Sequence, residues 1–190
     1  FKFIHGDLRP PFRPEAYIEA IEAAEKAGAA AIVIDSMSHE WAGQGGIIDW
    51  QEEELDRMAG DNWSKREACK MAAWIKPKIS HKRMMARLLQ CRAHLIFCLR
   101  AEEKVAMQKD RNNKTIIVPI GWQPICEKNF MYEQTMSFLL LDDKPGIPRP
   151  IKLQDQHRSI FPLDRQLDEE AGKRLADWSR GALKKKPAAE

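Results

Sequence analysis

Apolar residues along this chain fall into short blocks whose spacing switches between the periods of strands and helices. Phe1–His5 alternates weakly and predicts a strand, stopped by Gly6-Asp7 and the Pro10-Pro11 pair. A helix is predicted from Pro14-Glu15 onward, because Tyr17, Ile18, Ile21, Ala24 and Ala27 share one stripe and Gly28 supplies a stop. Ala31-Ile-Val-Ile-Asp-Ser36 then reads as a buried strand, an apolar run that ends abruptly in an acid and a hydroxyl. Strand, helix and strand in that order favour a parallel sheet.

A polar, glycine-rich loop over residues 38–46 leads to an acidic helical start at Gln51–Asp56. Asn62 to Ile75 is predicted helical, with Trp63, Cys69, Ala73 and Trp74 on its apolar face, until Lys76-Pro77-Lys78 breaks it. His81 to Cys91 predicts another helix, with Met84, Met85, Leu88 and Leu89 on its apolar side. His94–Arg100 is a second buried-strand run that ends in a charge. A polar, basic loop, Ala101–Lys114, separates it from a strand at Thr115–Ile120. Tyr132–Leu141 predicts a longer strand, Asp142–Pro150 a turn region, and Asp168–Arg180 a helix with Leu175 and Trp178 inward. One domain over 1–181 and a basic, flexible tail over 182–190 complete the expected organisation.

The net charge of +3 is too small to argue for nucleic acid by itself, so its distribution decides. Between Lys65 and Arg92 stand nine cations against the single acid Glu67, and Lys104, Lys109, Arg111 and Lys114 follow. Such clustering fits a surface that tracks a phosphate backbone, and equally a solvated helical face. Cys69, Cys91, Cys98 and Cys126 show no metal or redox spacing, which points to reduced thiols in a cytosolic protein. No apolar run reaches the length of a membrane span, and the N-terminus lacks a signal-peptide layout. A membrane partner is therefore not expected.

The chemistry concentrates where two apolar strands end, at Asp35-Ser36 and at Arg100. In neighbouring parallel strands these residues share one rim, where an acid can hold Mg²⁺ and a cation can answer phosphate charge. A strand that stops in a polar loop, with Arg100 paired to Glu102 or Glu103, explains the same residues. No GxxxxGK[ST] phosphate loop occurs, so the chain lacks the lysine and backbone nest that grip a triphosphate. His39 and Glu40 could polarise a water or sit as loop polars. His81, His94 and His157 are read as structural.

The chain resembles the phage-encoded RecA-like P-loop ATPases through Ile32-Val-Ile-Asp-Ser-Met-Ser-His-Glu-Trp41 with Gly43-Gln-Gly-Gly46 behind it. Trp74-Ile-Lys-Pro77, His94-Leu-Ile-Phe-Cys-Leu-Arg-Ala-Glu-Glu-Lys104 and Val118-Pro-Ile-Gly-Trp-Gln-Pro-Ile-Cys-Glu-Lys128 extend the likeness to about Trp178. The resemblance implies an α/β fold with a mostly parallel RecA-like sheet flanked by helices and lacking the first, phosphate-loop strand. It implies Mg²⁺ and ATP as cofactors, with Asp35 as the Walker B acid and magnesium ligand, Ser36 as its polar neighbour, and Arg100 sensing the γ-phosphate. Asp7 or Glu40 is the implied catalytic carboxylate. Lys104, Lys109, Arg111 and Lys114 take the place of a DNA-contacting loop, with single-stranded DNA as partner and a homo-oligomer on DNA. The expected function is DNA recombination or handling in the cytoplasm of a bacterial host. Because Phe1 starts at the family's second strand, the chain is expected to be a carboxyl-terminal portion that binds ATP weakly or not at all. Two rival readings remain: a non-catalytic nucleic-acid-binding or interaction module on the same fold, and a metal-dependent nuclease using Asp7, Asp35 and Glu40.

Overall fold

The computed structural model of the chain describes residues 3–181; the expected basic tail lies outside them. The chain divides into two compact units, Phe1–Glu127 and Lys128–Glu190. The architecture is mixed α/β, with three two-stranded sheets among the described residues, one parallel and two antiparallel.

In the first unit, helix α1 (Pro14–Lys26) starts on Pro14, whose missing N–H costs nothing in a first turn, and it buries Tyr17 and Ile21. Gly28 ends it at φ +82°, a left-handed conformation that glycine adopts without strain. Strand β1 (Ala31–Asp35) follows and pairs in parallel with β2 (His94–Cys98), Ala31 opposite His94 and Asp35 opposite Cys98. Ile34 is buried on one face of this sheet, whereas Val33 (61% exposed) and Ile96 (49%) lie open on the other.

Between the two strands run α2 (Ser38–Ala42), α3 (Ile47–Ala59), α4 (Trp63–Cys69), a 3₁₀ turn (Ala72–Trp74) and α5 (Ile75–Leu88). Helix α5 packs against α1 and α3, burying Met84 and Leu88. Arg87 of α5 also reaches Glu22 and Glu25 of α1. Pro77 does not break a helix, as the sequence predicted; it falls in the first turn of α5, where no intrahelical bond needs its nitrogen. Residues 38–42 of the predicted glycine-rich loop are helical, and Gly45 behind them has φ +70°. A Cβ on Gly45 would stand 2.5 Å from Pro11 Cβ, so the close approach of residues 11–12 requires glycine there. Residues 3–5 carry no strand, contrary to the expectation for Phe1–His5: they have no partner ladder and are exposed.

After β2, the expected basic loop is a hairpin. Strand β3 (Ala101–Lys109) and strand β4 (Thr115–Pro124) pair antiparallel, with a register shift between Lys104 and Val105. Asp110 closes the turn by accepting from the backbone N–H groups of Asn112 and Lys114, and Asn113 sits at φ 62°.

The second unit holds α6 (Phe130–Glu133), the antiparallel pair β5 (Ser137–Leu139) and β6 (Arg149–Lys152), and α7 (Glu169–Ser179). The long strand predicted over Tyr132–Leu141 is thus a short helix plus a three-residue strand. Helix α7 is capped by Asp168, which accepts from Ala171 N at 3.0 Å. Its Trp178 meets buried His157 edge-on at 4.5 Å.

Candidate functional site

Parallel pairing in register brings the carboxyl ends of β1 and β2 to a single rim. Asp35 lies opposite Cys98, two residues before Arg100, and both Asp35 and Arg100 are exposed there. The loops leaving the strands are stitched together beyond the ladder. Met37 N donates to Cys98 O at 2.9 Å, and Arg100 N donates to Ser38 Oγ at 2.9 Å. Met37 and Ser38 are almost fully buried, so these bonds fix the rim where water does not compete. Burial, and then the negative charge of Asp35, push the Cys98 thiol up from its ordinary value.

Ser36 follows Asp35 through a cis peptide. Its Oγ lies 3.1 Å from His39 Nδ1, and the His39 ring packs against Phe12 at 5.0 Å. Asp35, Ser36 and Arg100 thus all follow the carboxyl ends of the paired strands. An exposed carboxylate, a hydroxyl and a guanidinium suit a hydrated Mg²⁺ carried by a phosphate ligand, since that ion takes only one or two protein carboxylates. No three His, Cys, Asp or Glu side chains converge as a metal cage among the described residues.

The two candidate catalytic carboxylates have unlike surroundings. Glu40 is 2% exposed on α2, and its Oε1 is hydrogen-bonded with His81 Nδ1 of α5 at 2.9 Å. Burial raises its carboxyl above the ordinary range; the His81 bond opposes this, and the charges of Glu127 and Glu15 add to it. Tyr17 is buried nearby, its phenol pushed up chiefly by burial and then by the charge of Glu40, while a bond to the Glu40 backbone opposes the shift. Asp7 stands in the exposed extended segment, 3.6 Å from His5 Nε2.

The basic residues also separate. In the helical cluster Arg66 pairs with Glu52 and Asp56, Lys70 with Glu67, Lys76 with Glu54, and Arg87 with Glu22 and Glu25. Much of that cluster therefore holds the helices together. Lys104 pairs with Glu102. At the hairpin tip Lys109 donates to Thr115 Oγ1, and Lys109, Arg111 and Lys114 form no salt bridge among the described residues.

Sequence reasoning missed the Ser38 and Met37 ties and the Glu40–His81 bond, because each joins residues far apart in the chain. The hairpin did leave a signal: Asp110-Arg-Asn-Asn-Lys114 is turn chemistry between two strand-like runs. Compared with protein-family models, curated proteins and solved structures, the chain matches none. No helix among the described residues is long and apolar enough to cross a membrane.

Proposed function

We propose that this chain carries the carboxylate-and-arginine side of a Mg²⁺·ATP site of a RecA-like ATPase acting on DNA. One observation carries the reading: Asp35, Ser36 and Arg100 stand together at the carboxyl rim of a parallel strand pair, where open α/β sheets take their ligands. Mg²⁺·ATP, when bound, supplies the divalent charge and the transferable γ-phosphoryl group. Asp35 then orients the hydrated metal, with Ser36 as the neighbouring polar group. Arg100, held by its backbone bond to Ser38, meets the charge on the terminal phosphate. Asp7, exposed and 3.6 Å from His5 Nε2, is the carboxylate assigned to orient an attacking water. Glu40, bound to His81, keeps α2 and the rim it follows in place.

The unpaired hairpin cations are assigned to single-stranded DNA, with Lys109, Arg111 and Lys114 meeting phosphates. Lys109→Ala with Arg111→Ala should weaken binding of an oligothymidylate and lower the salt slope by about 0.7 for each cation lost. Unchanged affinity and slope at low salt would remove the DNA role.

A second reading rests on the missing GxxxxGK[ST] loop: a binding module on this fold without the chemistry. It predicts the same DNA binding with no nucleotide response at Asp35. A DNA-cleaving activity with Mg²⁺ or Mn²⁺ and no ATP would instead favour the nuclease.

A further inference from the structure

Among the described residues, strand β3 presents a nine-residue outer edge with no strand paired to it. The hairpin has no third strand among the described residues, and two-stranded hairpins are marginal on their own in water. Yet one face of it exposes Val105 (60%), Met107 (79%), Ile117 (66%) and Trp122 (42%). The outer edge of β4 is spoiled by Pro119, Pro124 and the irregularity at Ile120-Gly121, devices that stop a further strand from adding. Ala101–Lys109 contains neither proline nor glycine.

We propose that β3 pairs antiparallel with β3 of a second copy of this chain, about a two-fold axis at Ala106. Backbone geometry restricts the choice of register. Asp110 N donates to Lys114 O at the turn, so by alternation Gln108 and Ala106 turn their backbone groups to β4. Glu103, Val105, Met107 and Lys109 turn theirs to the open edge. A second copy must then oppose odd-numbered residues to odd-numbered ones.

Centred on Ala106, the pairing sets Val105 against Met107 of the second copy, and Glu103 against Lys109. The small Ala106 side chains meet at the axis. Centred on Val105 instead, Glu103 would face Met107 and Lys109 would face Ala101, which leaves both charges unanswered. Opposite charges thus select the first register. The product is a closed four-stranded sheet, β4-β3-β3-β4, that cannot grow because both outer edges are blocked. The basic tips then point to opposite ends of the sheet.

Light scattering on the purified chain at about 100 μM, where even a weak transient pairing is populated, should give a dimer. Ala106→Cys should form an intermolecular disulfide under mild oxidation, because a non-hydrogen-bonded antiparallel pair holds its Cα atoms about 4.5 Å apart. Gln108→Cys, which faces Lys104 of the second copy, should cross-link at least about tenfold more slowly, near the background of the unsubstituted chain. Val105→Pro removes an outward N–H without touching the β3–β4 ladder and should give a monomer. Equal cross-linking of the two cysteine variants would overturn the proposal, as would a dimer that survives Val105→Pro. So would a monomer whose β3 amides gain exchange protection only on adding an oligonucleotide.

Discussion

Removing the Glu40 carboxyl should destabilise the first unit by about 2 kcal/mol, within the range for a buried polar group left without its partner. Glu40 and His81 are 2% and 6% exposed, and their bond is 2.9 Å. Glu40→Ala leaves His81 Nδ1 without its buried partner. Glu40→Gln keeps an acceptor and should lose only about 1 kcal/mol. Leucine at both positions should recover much of the loss, because well-packed apolar residues often replace a buried polar pair at no net cost. Urea unfolding read by tryptophan emission suits the test, since Trp41, Trp50, Trp63, Trp74 and Trp122 all lie in the first unit.

The same pair gives a pH signature. Burial raises the Glu40 carboxyl above its ordinary 4.5, so the folded chain keeps this proton to higher pH than the unfolded chain does. The stability it contributes is therefore complete below about pH 4.5 and is lost as pH climbs through the raised value. Glu40→Gln should flatten that slope. Single and double substitutions that add within about 0.5 kcal/mol would refute the coupling, and a Gln variant with the unsubstituted pH profile would refute the burial argument.

Gly45→Ala should cost at least about 1 kcal/mol in the same unfolding assay, from its positive φ and the clash with Pro11. Gly6→Ala, with open space around it, should be near neutral. Glu25 is held down at about 2, first by the backbone N–H of Arg92 and then by the Arg87 guanidinium, so what it adds to stability is present above 4.5 and fades as pH falls toward 2. Arg87→Gln should move its carboxyl midpoint upward in a carbon-detected NMR titration; an unmoved midpoint would leave the Arg92 N–H and the Cys91 thiol as the causes.

The elements that carry the candidate rim were legible because their signals are local. Tyr17 and Ile21 mark the stripe of α1, and continuous apolar runs mark β1 and β2 with their charged ends. The strand–helix–strand order that favoured a parallel sheet counted Phe1–His5 as its first strand, and residues 3–5 form none; the parallel partner of β1 is β2, with Asp35 opposite Cys98. What the sequence concealed depends on partners distant in the chain. Pro77 carries a breaker's signature, and only its place at the start of α5 makes it harmless. Trp63 was assigned to a core by its spacing but is 74% exposed, because α4 is too short to bury that face. Basic density between Lys65 and Arg92 suggested a binding surface, while the acids that neutralise much of it come from α1 and α3. His81 was read as structural, and its partner Glu40 as a loop acid, because the bond that explains both spans 41 residues.

The proposed nucleotide site requires the carboxyl ends of β1 and β2, at Asp35 and Arg100, to receive a divalent metal with a triphosphate. Titrating Mn²⁺·ATP into the ¹⁵N-labelled chain reads this directly, because paramagnetic broadening locates even a weakly held metal. Broadening centred on residues 35–38 and 98–100, abolished by Asp35→Asn and weakened by Arg100→Ala, is the result expected. Broadening spread over other acidic residues, or left intact by Asp35→Asn, would contradict the nucleotide-site reading.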